Sequence, residues 1–327
     1  LIFAPTGSGK TLAAFLACLD HLWRTPRATR GVRILYVSPL KALNQDVSRN
    51  LEVPLDGILA TAAAQGVSLP RLSVAVRSGD TPAAERQRLC RRPPDILITT
   101  PESLHLMLTS RTRETLRALS HVIVDEIHAL CPNKRGVFLA LLLERLQAQN
   151  PAGFVRIGLS ATQRPLDEVA RYLGGRMEVK GPGGRKRLEP RPVSIVDAGQ
   201  RKELDLAVSV PFHRAGPLPA GSVWPAIEER VHELIEGHRS TIVFANNRRV
   251  AERLTAHLNE RAESQAVQPV PSLPLARAHH GSLNLDERRT TEALLKQGEL
   301  KAVVATASLE LGIDMGAVDL VCQVESP

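Results

Sequence analysis

The sequence predicts an α/β chain of two domains, each a mainly parallel sheet with helices on both faces, both cut short at the chain ends. Three observations carry this. Short apolar runs alternate with helical patterns from end to end. The runs Ile34–Val37, Val74–Val76, Ile96–Ile98, Val122–Val124 and Ile157–Leu159 are continuous, as in strands buried on both faces. A glycine- and proline-rich interval from Gly174 to about Pro225 interrupts the alternation, which then resumes. The domain boundary is placed at Pro190, giving domains 1–190 and 191–327.

Taken in order, Leu1-Ile2-Phe3 is the first apolar run, and Ala4-Pro5-Thr6-Gly7-Ser8-Gly9-Lys10-Thr11 follows it directly. The helical pattern Leu12, Phe15, Leu16, Leu19 and Leu22 comes next. A strand, a tight loop of small residues and a helix start are the context a phosphate-binding loop needs. Thr6, Gly7, Ser8 and Gly9 would form the cradle, with the glycines letting backbone N–H groups converge on a phosphate at the positive end of a helix. Lys10 would reach the β- and γ-phosphates, and the Thr11 hydroxyl would ligate Mg²⁺. The first position of the G-x-x-x-x-G-K-[ST] pattern is Ala4, so the match is one residue short.

Ligands of parallel sheets gather at the carboxyl ends of strands, and each later run empties into a polar cluster. The second ends in Ser38-Pro39-Leu40-Lys41, the third in Arg77-Ser78-Gly79-Asp80-Thr81, the fourth in Thr99-Thr100-Pro101-Glu102. Singly, each is an ordinary helix cap. Together they sketch a track that holds phosphates without reading bases. The fifth run leads into Asp125-Glu126-Ile127-His128. Asp125 is assigned to the metal through water, Glu126 to orienting and deprotonating the attacking water. The sixth run ends in Ser160-Ala161-Thr162, whose hydroxyls could bond the acidic loop and couple it to its surroundings.

In the interrupted interval, Arg185-Lys186-Arg187 reads as a solvated, linker-like face, and Val193–Val196 and Leu206–Val210 as strands. Beyond it, Ile227 to His238 reads as a helix and Thr241–Phe244 as a buried strand. Asn246 and Arg248 follow that strand, opening a helix through Leu258. Gln265 to Pro274 reads as a surface insertion. His279-His280-Gly281-Ser282 precedes another helix; these adjacent histidines have no Cys, Asp or Glu at ligand spacing, so a phosphate-facing loop is preferred to a metal site. A strand Ala302–Thr306 runs into Ser308 and Gly312, where a glycine allows close backbone approach to a ligand. The last strand is Leu320–Val324.

Composition narrows the function classes. The chain has 327 residues, 43% of them hydrophobic, enough for two buried cores. A net charge of +8 permits a polyanionic partner, while only 3% aromatic residues argues for phosphate-backbone contacts over base stacking. The cysteines Cys18, Cys90, Cys131 and Cys322 are scattered, which argues against a structural metal and fits a reducing cytoplasm. No apolar run reaches membrane-spanning length.

Ala4–Thr11, Ser38–Leu43, Thr99–Leu104, Asp125–His128 and Ser160–Thr162 resemble motifs I, Ia, Ib, II and III of superfamily 2 helicases, in order and approximate spacing. The second motif is of DExH type, and alanine at position 4 is common in that superfamily. Ile242–Arg249, His279–Leu283 and Ala305–Asp314 resemble motif IV, the loop before motif V, and motif V. The ordered set is similar to the large helicase-related (Lhr) family over nearly the whole chain. The resemblance implies two RecA-like domains with ATP and Mg²⁺ between them, and ATP-driven 3′-to-5′ movement on single-stranded nucleic acid, DNA ahead of RNA, in DNA repair. It implies nucleic-acid contacts by Pro39, Lys41, Thr100, Pro101, Glu102, Asn246, Arg248, His280, Gly281, Thr306 and Ser308. Gly312 and Asp314 would lie toward the nucleotide, with Asp314 sensing it, and His128, Ser160 and Thr162 would couple the sites. Two other readings stand beside it: an RNA helicase of the DExH class, and a P-loop ATPase that does not act on nucleic acid. The Q-x-x-G-R-x-G-R arginine motif of the superfamily does not occur in these residues, so residues 1–327 alone are expected to hydrolyse ATP poorly.

Overall fold

A computed structural model describes the chain except for residues 6, 26–29, 40, 162–164, 181–184, 199–204, 211–222, 266–272, 307–317 and 326–327, and the side chains of 41–46 and 285. It divides into two compact units, Leu1–Arg201 and Lys202–Pro327.

In the first unit the strands are β1 (Ile2–Phe3), β2 (Ile34–Val37), β3 (Val74–Arg77), β4 (Ile96–Thr99), β5 (His121–Val124), β6 (Val155–Ser160), β7 (Arg176–Lys180), β8 (Lys186–Pro190) and β9 (Val196–Asp197). Helices α1 (Lys10–Arg24), α2 (Lys41–Ala64), α3 (Ala83–Arg91), α4 (Pro101–Leu108), α5 (Ile127–Leu130), α6 (Lys134–Gln149) and α7 (Leu166–Gly174) lie between them. Among the described residues, seven strands form one sheet in the order β3-β4-β2-β5-β6-β1-β9, every pairing parallel.

The continuous apolar runs are explained by the pleat, which sends successive side chains to opposite faces. Leu35, Val37, Leu97, Val122 and Val124 pack with Leu104 and Met107 of α4 and Leu139, Leu142 and Leu146 of α6. Ile34, Tyr36, Ile96, Ile98 and Ile123 pack with Phe15, Cys18 and Leu19 of α1 and Leu51 and Leu55 of α2. Each fully buried aliphatic side chain contributes roughly 1.5–3 kcal/mol, so both faces of every central strand must be apolar.

The turn between α5 and α6 is held by a close approach. A Cβ on Gly136 would overlap the Leu130 carbonyl oxygen and crowd the Cys131 nitrogen. Gly136→Ala gains about 1 kcal/mol in helix propensity, but the overlap is with backbone, which has little room to yield. We expect a net loss of about 1–3 kcal/mol, seen as a melting temperature lowered by roughly 2–4 °C per kcal/mol. An unchanged or raised melting temperature would show that the turn relaxes freely.

The second unit contains α8 (Trp224–Glu236), β10 (Thr241–Ala245), α9 (Arg248–Gln265), β11 (Ala276–His279), α10 (Leu285–Gln297), β12 (Ala302–Ala305) and β13 (Leu320–Val324). Its sheet runs β11-β12-β10-β13, again all parallel. Val243, Ala302 and Val304 pack with Ile235 of α8 and with Leu254 and Leu258 of α9.

The interval between the units differs from its sequence reading. Contacts divide the chain after Arg201, whereas composition divided it at Pro190. The chain past Pro190 stays with the first unit because β9 pairs with β1, Ile2 opposite Val196. Arg185-Lys186-Arg187 is solvent-exposed as expected, but Lys186 and Arg187 belong to a strand: β8 pairs antiparallel with β7 in an exposed ribbon. Of Val193–Val196 only Val196 enters a strand, and Leu206–Val210 enters none. The expected insertion at Gln265–Pro274 lies largely outside the described residues. Among the described residues no helix is long and apolar enough to cross a membrane, and no group of three or more His, Cys, Asp or Glu could hold a metal ion.

Candidate functional site

Strand order decides what meets at the carboxyl edge of the first sheet. The loop after β1 lies next to the end of β6, and β5 follows on the far side of β6. The Ala4 N–H donates to the Ser160 carbonyl at 3.1 Å, rooting the loop beside β6. Gly7 and Gly9 have φ of 78° and 83°, the left-handed region that a side chain would make costly. Gly9 is the N-cap of α1, and no side chain caps that helix, so its first-turn N–H groups are left for an anion. Lys10, the first helical residue, is only 7% exposed.

The acidic pair follows β5 at the same edge. Asp125 N donates to the Val37 carbonyl at 2.9 Å, and Glu126 N donates to Asp125 Oδ1 at 2.9 Å. Glu126 has φ of 45°, a left-handed conformation unusual for a non-glycine, which costs of order 1–3 kcal/mol and turns its carboxylate toward the phosphate loop. Lys10 Nζ lies 3.8 Å from Glu126 Oε1, both side chains nearly buried. The loop and the acidic pair, separated by more than a hundred residues in sequence, therefore face one another. Burial pushes the Asp125 carboxyl above the ordinary carboxylate range, against the opposing pull of its Tyr36 hydrogen bond and of Lys10. Burial, and then the neighbouring Asp125 charge, push Glu126 up as well, with Lys10 opposing. A raised carboxyl is a stronger base once ionised, which suits proton abstraction from water.

Mg²⁺ takes few protein ligands and completes its shell with waters and substrate phosphates. One hydroxyl, Thr11, and one carboxylate, Asp125, at the mouth of a phosphate cradle fit that demand. Sequence reasoning missed a third participant, Tyr36. It is fully buried in β2 and donates its hydroxyl to Asp125 Oδ2. Inside an apolar run it carried no signal beyond being a tyrosine among aliphatics.

Of the coupling residues, His128 is placed as expected. Its Nε2 lies 3.2 Å from Glu126 Oε2, and its Nδ1 accepts the Ala161 N–H at 3.4 Å. This leaves the proton on Nε2, facing the carboxylate. Burial, and then Lys10, hold the ring below the usual histidine range, so it is neutral near pH 7. Among the described residues, the link to the segment after β6 therefore runs through the Ala161 backbone N–H and not through the Ser160 hydroxyl. Ser160 Oγ is buried with no partner among the described residues. Thr162 lies outside the described residues, as do Thr6, Ser308, Gly312 and Asp314.

The expected nucleic-acid track occupies the other half of the edge, after β3, β4 and β2. Thr100 caps α4, its side chain accepting the Ser103 N–H, and both Thr100 and Pro101 are buried; Glu102 is exposed beside them. Lys41 opens α2, with its side chain outside the description. A further group joins these loops: Arg135 of α6 donates to Glu102 Oε1 at 2.7 Å and to the Pro39 carbonyl at 2.9 Å. In the second unit, Asn246, His280–Gly281 and Thr306 follow β10, β11 and β12, hence sit on one carboxyl edge. Arg248 is engaged with Glu252 at 2.9 Å. His280 is only 2% exposed, its Nε2 3.1 Å from Glu252, so within this unit it supports the loop while Gly281 is displayed.

With this geometry in view, the comparisons are consistent. Residues 1–169 match the DEAD/DEAH box helicase model, and residues 226–327 match the helicase conserved C-terminal domain. The chain is 50% identical, over its whole length, to an Lhr helicase/probable uracil glycosylase of Mycolicibacterium smegmatis, covering 22% of that protein. It is 46% identical to an ATP-dependent helicase Lhr-Core protein 2 of Thermococcus barophilus, covering 36%. The structure of Mycobacterium smegmatis helicase Lhr bound to ssDNA and AMP-PNP superposes with a TM-score of 0.82 at 52% identity, covering all of this chain and 40% of that one. The DEAD-box helicase Mss116, at 16% identity and a TM-score of 0.70, shares the fold. The chain thus spans about a fifth to a third of the length of these curated relatives.

Proposed function

Because the chain belongs to the DEAD/DEAH box helicase family, we propose that it is the motor core of an ATP-dependent helicase. In this reading the full-length protein couples ATP hydrolysis to 3′-to-5′ movement along single-stranded DNA and to unwinding, in DNA repair and in the cytoplasm. The observation that carries it is the Lys10–Glu126 approach of 3.8 Å across the mouth of the phosphate loop. ATP binds with its phosphates on the loop N–H groups and on Lys10. Thr11 and, through water, Asp125 would hold a Mg²⁺, which would supply charge neutralisation for the bound phosphates. Glu126 orients a water in line with the γ-phosphate and takes its proton; His128, donating to Glu126, fixes the carboxylate for this. Support for DNA comes from the ssDNA and AMP-PNP bound by the Mycobacterium smegmatis relative.

The test is ATP turnover of the full-length protein with no nucleic acid, with single-stranded DNA, and with RNA. Strong stimulation by DNA alone is expected. Stimulation by RNA alone moves the substrate class, and equal turnover in all three leaves an ATPase unconnected with strands.

Arg135 gives a more local check on the track. It ties Pro39 and Glu102 together, so in this reading its part is to hold the track loops and not to meet a phosphate. Arg135→Ala is expected to weaken binding of a labelled single strand about 3–10-fold, or roughly 1 kcal/mol, in fluorescence anisotropy. The slope of log affinity against log salt should stay unchanged, whereas losing a direct phosphate contact lowers it by about 1. A reduced slope would make Arg135 a strand contact itself.

A further inference from the structure

Tyr36 stands in a strand whose other members, Ile34, Leu35 and Val37, are aliphatic, and like them it is fully buried. Packing alone asks only for a ring. That ring stacks on Phe15, centroids 5.3 Å apart and planes 17° from parallel, and a phenylalanine would do the same. A buried hydroxyl without a partner is costly, so the phenol is tolerated here because it is bonded: it donates to Asp125 Oδ2. The register explains how. Tyr36 lies opposite Ile123 and Val37 opposite Val124, so the ring ends level with the start of the acidic loop. Asp125 Oδ1 is held separately by the Glu126 N–H at 2.9 Å. Both oxygens of this carboxylate are therefore fixed, one by backbone and one by Tyr36.

We propose that Tyr36 is a positioning residue for the Mg²⁺ of the nucleotide complex, its phenol fixing one oxygen of the Asp125 carboxylate before the ion arrives. This rests on the reading that the phosphate loop and acidic pair bind Mg·ATP. Asp125 keeps its carboxylate plane without relying on the metal to orient it. Partners that orient metal-holding groups in this way are typically worth 10–100-fold in metal affinity.

The experiment compares full-length wild type with Tyr36→Phe, reading binding and not turnover. Fluorescent mant-ATP is titrated in EDTA and then, at fixed nucleotide, with Mg²⁺; Mn²⁺ binding in the presence of nucleotide is followed by electron paramagnetic resonance. Tyr36→Phe should leave the EDTA affinity within about 2-fold and raise the Mg²⁺ and Mn²⁺ midpoints roughly 10-fold or more. Added to Asp125→Asn, it should shift the midpoint much less, since the group it positions is already altered. Equal midpoints for wild type and Tyr36→Phe overturn the inference. So does a loss of nucleotide affinity of the same size in EDTA, which marks a packing role, or an undiminished shift in the Asp125→Asn background. If wild type binds no nucleotide, or binds it without regard to Mg²⁺, it is the underlying nucleotide-site reading that fails.

Discussion

Glu126→Gln in the full-length protein should cut strand-stimulated ATP turnover by about 10²–10⁴-fold, the usual range for loss of a general base, with Mg·ATP binding within a few-fold of wild type. The argument rests on what the substitution removes. Gln keeps the size of the side chain and a carbonyl oxygen that can still accept from His128 Nε2, 3.2 Å from the carboxylate in the native protein. It cannot take a proton from water. Its left-handed backbone, φ 45°, is set by the turn into α5 and does not depend on the charge. Binding should survive because the phosphates rest on loop N–H groups and Lys10. The same placement makes a pH prediction for the wild type. With Glu126 raised by burial and by Asp125, a carboxylate base is lost to protonation at a higher pH than an ordinary glutamate. The acid limb of kcat should therefore lie above the ordinary glutamate range, and it should vanish from whatever residual rate Glu126→Gln retains. A variant that turns over at wild-type rates would assign the base elsewhere.

How much of this was legible beforehand follows from where each residue's signal lives. The central strands were readable because Ile34–Val37, Ile96–Ile98 and Val122–Val124 bury both faces, leaving no charged residue to break the run. The phosphate loop and acidic pair were readable because small residues, a lysine and paired carboxylates at strand ends have few other uses together. Tyr36 was hidden by the same rule that found its strand: in an apolar run its ring reads as core, and its hydroxyl gains meaning only when β5 is laid beside β2. Arg135 was hidden because its partners, Pro39 and Glu102, are 96 and 33 residues away. The β7–β8 ribbon was hidden because both strands are exposed, so neither carries an apolar pattern. The coupling contact moved from the Ser160 hydroxyl to the Ala161 N–H, and backbone donors leave no trace in residue identity.

The other large effect expected is that of Lys10→Ala, which separates the two jobs this lysine has. With nucleotide bound it serves the phosphates, and losing a hydrogen bond to a charged group costs about 1.5–3 kcal/mol, or roughly 10–150-fold in affinity. Without nucleotide it faces Glu126 at 3.8 Å inside a nearly buried pocket. Removing it leaves the carboxylate beside Asp125 with its largest compensating attraction gone. Breaking one side of a buried pair is destabilising, by up to about 3–5 kcal/mol where burial is complete. The two costs respond differently to a second change. Glu126→Gln in the Lys10→Ala background removes the orphaned charge, so the melting temperature should recover while nucleotide binding stays lost. Lys10→Arg should not restore binding either, because a planar guanidinium cannot occupy the position of a compact ammonium held this close to the carboxylate. The measurements are mant-ATP titration and thermal unfolding of the four proteins side by side. If Lys10→Ala binds nucleotide normally, the lysine is only an ion-pair partner. If the double variant recovers binding along with stability, the loss in the single variant came from Glu126 repelling the phosphates.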